Sequence, residues 1–218
     1  MAEYSEGSSD DEYETMTTGQ LLAKLEEAWV NEKFSPELLY HKTEIIDCIE
    51  EQFEQAESSI GRAPKGDFVS SIHKFEIERI KFVLCSYLRT RLQKIEKHVV
   101  HILECEAALG SGSESRLSGE ELEYAKEFVD NMDTHLNSLV LQHMPANFQK
   151  MDRKKAVVRP NLDSYVFVKA VEPVNGVAVD PEEDGADRDS VDLSPGNQYI
   201  LRYRPVSSLV HSGAVKLI

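Results

Sequence analysis

The chain has 218 residues, 41% of them hydrophobic and 29% charged, and a formal net charge of −15. That length suits one large domain or one medium and one small domain, and the apolar content is sufficient for a packed core. No uncharged run approaches the roughly 18 apolar residues of a membrane span, three scattered cysteines with no CxxC pair argue against a disulfide scaffold, and the acidic start lacks the pattern of a secretory leader, so a reduced, intracellular protein is expected.

The acid is unevenly placed. Residues 1 to 19 hold six acids and no base, and residues 180 to 192 hold seven acids against Arg188 alone. These two segments account for −12 of the −15, so the rest of the chain is close to neutral. Residues 1–17, rich in Ser and Glu and poor in apolar side chains, are expected to be a disordered acidic tail. Within it, Asp10, Asp11 and Tyr13 could serve as a short docking motif.

Helical periodicity starts after Thr17 or Thr18, with Leu21, Leu22, Leu25, Ala28 and Trp29 at three- and four-residue steps, and ends near Phe34. Ser35-Pro36-Glu37 reads as a capping side chain and first-position proline that restart a helix, which would run to about Ile60 before Gly61 and Pro64. From Asp67 to Glu106 there is neither proline nor glycine. Forty helical residues would span about 60 Å, so the helix is expected to bend near His98 to His101 or to project toward another chain. The linker Gly110 to Ser115 interrupts the pattern. Ser118 to Glu121 forms a capping box, opening a helix that stops before Pro145.

After Pro160 the pattern becomes that of strands. Ser164 to Val171 alternates in polarity, Asn175-Gly176 reads as a hairpin turn into Gly176 to Val179, and the acidic loop follows. SVDL, a Pro195-Gly196 turn, Gln198 to Arg204 and a terminal AVKLI complete a small β module. The expected architecture is α+β: an acidic tail (1–17), a mainly helical bundle (18–147), a linker (148–161) and a β-rich domain (162–218). Tyr165, Phe167, Tyr199, Ile200 and Tyr203 are candidates for the core of the β domain, and Leu217 and Ile218 for a strand or docking contact.

Residues 78 to 97 carry six bases and two acids, a local charge of +4 in an acidic protein. On a helical wheel centred on Ile80, Val83, Leu84, Tyr87, Leu88, Leu92 and Ile95 form one apolar stripe, with Arg91 inside it at about 20°. Phe82 and Arg89 fall on the opposite side, near 200° and 180°. Either this is an ordinary core helix with a snorkelling arginine, or it is contacted from two sides, by its own bundle and by a partner. On the second reading Arg79, Phe82, Tyr87, Arg89, Arg91, Leu92 and Ile95 belong to a subunit interface. Phosphate binding asks for a one-sided basic stripe, whereas these bases are distributed around the helix, and there is no zinc-finger or RNP pattern.

His98, His101 and Cys105 stand at i, i+3 and i+7, but no second ligand cluster accompanies them, so no metal is expected. No GxSxG, Walker loop, HExxH or dinucleotide fingerprint occurs, and no cofactor or catalytic residue is expected. A free-standing helical adaptor or DNA-binding protein is the alternative to an assembly subunit.

LEEAWVNEKFSPELL (Leu25 to Leu39), ERIKFVLCSYLRTRLQKIEK (Glu78 to Lys97), LDSYVF (Leu162 to Phe167) and the terminal ILRYRPVSSLVHSGAVKLI resemble the Sld-five family of the eukaryotic GINS complex. The resemblance extends from about Thr18 to Ile218. It implies a helical A domain followed by a β-rich B domain, and a non-catalytic subunit of a heterotetramer with three other GINS subunits. It further implies that this tetramer joins the MCM ring and the Cdc-forty-five protein in the CMG replicative helicase, in the nucleus and on chromatin during replication. It also implies that Arg91, with Arg79 and Arg89, meets carboxylates of this chain or of a sister subunit.

Overall fold

A computed structural model describes residues 16–62, 67–109, 114–145, 147, 149, 157–178 and 190–218. The acidic tail with Asp10, Asp11 and Tyr13, most of the linker, and most of the acidic loop lie outside them. In chain order the elements are α1 (Thr18–Phe34), α2 (Thr43–Gly61), α3 (Phe68–Ala108), α4 (Gly119–Leu139), a 3-10 turn (Leu141–His143), β1 (Tyr165–Ala170), β2 (Val174–Ala178), β3 (Ser190–Leu193), β4 (Gln198–Arg202), α5 (Tyr203–Ser212) and β5 (Val215–Leu217). A mainly helical part is followed by a small β-sheet region. No described helix is long and apolar enough to cross a membrane.

The helix starts follow local chemistry. Thr17 and Gln20 reciprocate across the first turn of α1, Thr17 N donating to Gln20 Oε1 at 3.0 Å. Asp67 accepts from the backbone N–H groups of Val69 and Ser70 at the start of α3. Ser118 caps α4: Glu121 N donates to Ser118 Oγ at 3.2 Å, and Ser118 N donates to Glu121 Oε2 at 3.1 Å. Ser118→Ala is expected to cost about 1 kcal/mol in urea unfolding with an unchanged slope. A loss beyond about 2 kcal/mol would mean the serine does more than cap. α3 bends where expected, at His98, whose backbone leaves helical geometry (φ −122, ψ 22).

Three departures from the sequence reading are informative. Residues 35–42 are not helical, and α2 begins at Thr43. Ser35 donates to the Glu37 carbonyl at 2.7 Å instead of capping a helix. Side chains claim the carbonyls that helix N–H groups would need: Lys94 that of Glu37, Arg116 that of Leu38, Arg91 that of Leu39. Asn175-Gly176 is not a hairpin turn but lies inside β2, which pairs with β3 rather than β1. Gly176 supplies φ +71 where the register shifts between Val174 and Val177, the position of an irregularity that only glycine meets without strain. In addition, Tyr203 to Ser212 form a helix in place of a continuing strand, closed by Gly213 at φ +80.

The chain divides into two compact units: residues 1–33 with 42–89, and residues 34–41 with 90–218. In the first, Leu21, Leu25, Ile45, Ile49, Val83 and Leu84 form the core, and Trp29 Nε1 donates to Ser86 Oγ at 3.0 Å beside it. The second has two cores. One gathers Leu38, Ile95, Val99, Ile102, Leu117, Ala125 and Val129. The other lies between the sheet β4-β1-β5 and α5, gathering Val166, Val168, Ala170, Leu201, Tyr203, Val206, Val210, Val215 and Leu217, with Leu39. Leu38 and Leu39 are neighbours in a non-helical segment, and their side chains enter different cores.

Candidate protein-interaction site

The residues singled out on α3 separate into buried and surface groups. Tyr87, Arg91 and Ile95 are buried within the chain. Arg91 is 1% exposed and makes four charge-assisted bonds. Nε donates to Glu121 Oε1 at 2.7 Å and Nη2 to Glu121 Oε2 at 2.8 Å, while Nη1 and Nη2 reach the carbonyls of Leu39 and Arg116, both at 2.9 Å. Burial pushes the Glu121 carboxyl up, and Arg91 outweighs that, holding it below its ordinary value. Glu121 thus closes the α4 capping box and neutralises the one arginine in the apolar stripe.

Glu37 is the second polar centre. Tyr203 Oη donates to Glu37 Oε1 at 3.0 Å and Arg116 Nη1 to Oε2 at 2.8 Å. His211 Nε2 stands 3.6 Å from Oε1, too long for a hydrogen bond. Burial raises this carboxyl, but His211, Arg116 and Tyr203 together bring it down to about 2; at 2.8 Å Arg116 is the stronger partner on geometry. Burial first, then the Glu37 charge, pushes the Tyr203 phenol well above its ordinary value. Neither Glu37 nor Glu121 stands out in sequence as a partner, because each lies tens of positions from the group it holds.

The surface group faces solvent. Arg79 is half exposed and pairs within the chain, with Glu26 at 3.0 Å and Glu76 at 3.1 Å. Phe82, Arg89 and Leu92 are exposed. Phe82 does not stand alone: Phe68, Phe75 and Phe82 are 76%, 76% and 65% exposed at seven-residue intervals, with Ile72 exposed between the first two. A seven-residue step returns to nearly the same side of a helix, so these rings line one face of α3 over two heptads, about 21 Å. The sequence wheel began at Glu78 and missed Phe68, Ile72 and Phe75. The seven-residue recurrence of phenylalanine was the signal for them.

Two family models match parts of the chain. Residues 40–140 match the family described as "GINS complex protein helical bundle domain", and residues 160–218 match "DNA replication complex GINS protein SLD5 C-terminus". Proteins named DNA replication complex GINS protein SLD5 are similar along nearly the whole chain. The one from Xenopus laevis is 48% identical over 98% of this chain and 97% of its own length, and the one from Homo sapiens 46% over 98% and 95%. The one from Arabidopsis thaliana is 32% identical over the full length of both. The chain belongs to the SLD5 family of GINS proteins.

In this SLD5-family chain the sheet residues divide by strand parity. Tyr203 and Leu217 are buried and Tyr199 is half-buried, whereas Tyr165, Phe167, Ile200 and Ile218 are exposed on the side away from α5. The core expectation for Tyr165, Phe167 and Ile200 is corrected here: the inner face packs against a helix and takes Val166, Val168 and Ala170 from β1, leaving the rings outside. His98 Nδ1 lies 3.0 Å from the Val158 carbonyl, and Cys105 Sγ lies 3.8 Å from His101 Nε2. Among the described residues no group of three His, Cys, Asp or Glu side chains is placed to hold a metal ion.

Proposed function

We propose that this chain works without catalysis, as a structural subunit of a GINS heterotetramer that joins the MCM ring and the Cdc-forty-five protein in the nuclear CMG helicase on chromatin. Family membership supports the GINS assignment, and the exposed phenylalanine stripe on α3 is the observation that carries the mode of action. Three rings and an isoleucine in water on one helical face are an unfavourable way to end a fold, and a partner helix offering its own apolar seam would bury them. Phe82, Arg89 and Leu92 belong to this proposed interface with Phe68, Ile72 and Phe75. Tyr87, Arg91 and Ile95 support the same helix from within the chain. The helical A domain is taken as 18–147 and the B domain as 162–218. The acidic tail, through Asp10, Asp11 and Tyr13, is proposed to recruit a fork adaptor.

Co-expression with the three other GINS subunits, followed by size-exclusion chromatography with light scattering, tests the reading. A single species with the mass of four subunits is expected. Phe75→Ser should lower incorporation about tenfold, the loss of roughly 1.4 kcal/mol of buried ring contact. A well-behaved monomer that ignores its sisters would overturn the subunit reading in favour of a free-standing adaptor. Full incorporation of Phe75→Ser would remove the stripe from the interface.

A further inference from the structure

The end of α2 and the start of α3 hold helical form with almost no burial. Phe53 of α2 still packs against the core of Leu21, Leu25 and Ile49, and Ile77 of α3 is buried. Between these two positions no described residue is buried. Phe68, Val69, Ile72 and Phe75, the large apolar side chains at the start of α3, are 76%, 56%, 47% and 76% exposed. The two helix ends do not cover one another either. A groove of about 430 Å³ opens along Ala56 and Ile60 of α2 and Val69, His73 and Ile77 of α3. The ion pair joining the end of α2 to α3, Glu57 with Lys81, is exposed on both sides, and such pairs contribute little.

A helix end in this condition is marginal. Helical residues stay ordered chiefly through the packing of an apolar face, and short stretches without it open readily in water. The α2 end is weakened further by its own sequence. Ser58, Ser59 and Gly61 are poor helix formers, and the last turn has no base to meet the negative end of the helix dipole. Asp67 acts the other way on α3: it accepts from the Val69 and Ser70 N–H groups, so the first turn is set to form once its rings are covered. Phe68, Ile72 and Phe75 belong to the proposed sister-subunit interface, so the cover arrives with assembly.

Resting on that subunit reading, we infer that residues 54–61 and 68–76 form an element that opens locally in the free chain and closes when a sister subunit covers the α3 stripe. Hydrogen exchange read by mass spectrometry tests this, comparing the monomeric fraction of the full chain with the chain in its four-subunit assembly. In the free chain, peptides from these two stretches should exchange fast, while peptides covering the buried Val83, Leu84, Ile95 and Val99 stay protected. In the assembly the two stretches should slow by at least about tenfold, the effect on an equilibrium of burying one phenylalanine ring. Ser58→Ala with Gly61→Ala should slow the α2 end of the free chain about fivefold and leave the core peptides unchanged. Ser58 is exposed and open space surrounds Gly61, so neither change disturbs packing. Equal protection of the two stretches and the core in the free chain would overturn the inference. So would a four-subunit species in which the stretches exchange as fast as in the free chain, an outcome that leaves the subunit reading standing. A chain that stays monomeric beside its sisters would overturn both.

Discussion

Arg91→Ala is expected to lower the unfolding free energy by about 3–5 kcal/mol, the cost of breaking a buried ion pair by removing one member. The variant would leave the Glu121 carboxylate buried opposite an empty space, and would also strip donors from the Leu39 and Arg116 carbonyls. Lys97→Ala, an exposed position on the same helix, should stay within about 0.5 kcal/mol. Urea unfolding of both variants beside the parent chain decides the matter. Because Arg91 is satisfied inside the chain, loss of subunit assembly in Arg91→Ala should track loss of folded protein. Arg91→Met separates the contributions. It keeps an unbranched apolar stem but no charge, so it recovers packing and not the four bonds. If Arg91→Ala is as stable as Lys97→Ala, the buried network contributes nothing to the fold.

Arg91 also shows where the sequence is legible and where it stops. Its place inside an apolar stripe follows from a 100° step, which by itself leaves open whether the side chain snorkels to solvent or is buried, and a carboxylate partner is implied only by the family resemblance. That the counter-charge is Glu121 does not follow, since a residue thirty positions away becomes a neighbour only after folding. The capping box of Ser118 and Glu121 was readable because it is local, and the same glutamate carries a second role that is not. Ser35-Pro36-Glu37 misleads for the same reason. Its residue types suit a helix start, but Lys94, Arg116 and Arg91 take the local carbonyls, and Leu38 and Leu39 must face opposite ways to fill two cores. A helix, which turns neighbours only about 100° apart, does not meet that demand. The α5 helix was hidden by Pro205 next to a strand pattern. Val206, Leu209 and Val210 ahead of Gly213 carried its signal.

The segment 34–41 bears on function through Glu37, which ties helical residues and sheet-domain residues of the second unit to one carboxylate. Lys94 of α3 holds its carbonyl, Arg116 precedes α4, and Tyr203 and His211 come from α5. That tie is electrostatic as well as apolar, and so it depends on pH.

Glu37→Gln should therefore change the acid stability of the protein. The carboxyl ordinarily titrates near 4.5 and is held at about 2 in the folded chain. A lowered native value means that the unfolded chain binds the proton more tightly. The stabilisation is thus complete above about pH 5 and is lost as pH falls toward 2. The difference corresponds to about 3 kcal/mol at most, and residual solvent access reduces it to about 2 kcal/mol. Urea unfolding of the parent chain and Glu37→Gln at a series of pH values is expected to show a gap of about 2 kcal/mol at pH 7. The gap should narrow steadily below about pH 5. Glu121, also lowered, titrates in both proteins and cancels in the difference. Tyr203→Phe provides an independent check. It removes one donor to Glu37 without disturbing the ring, and should cost about 1–3 kcal/mol at neutral pH. A gap between parent and Glu37→Gln that stays constant from neutral to acid pH would mean that the glutamate acts by shape alone, and the charge on Glu37 would then have no part in fastening the segment.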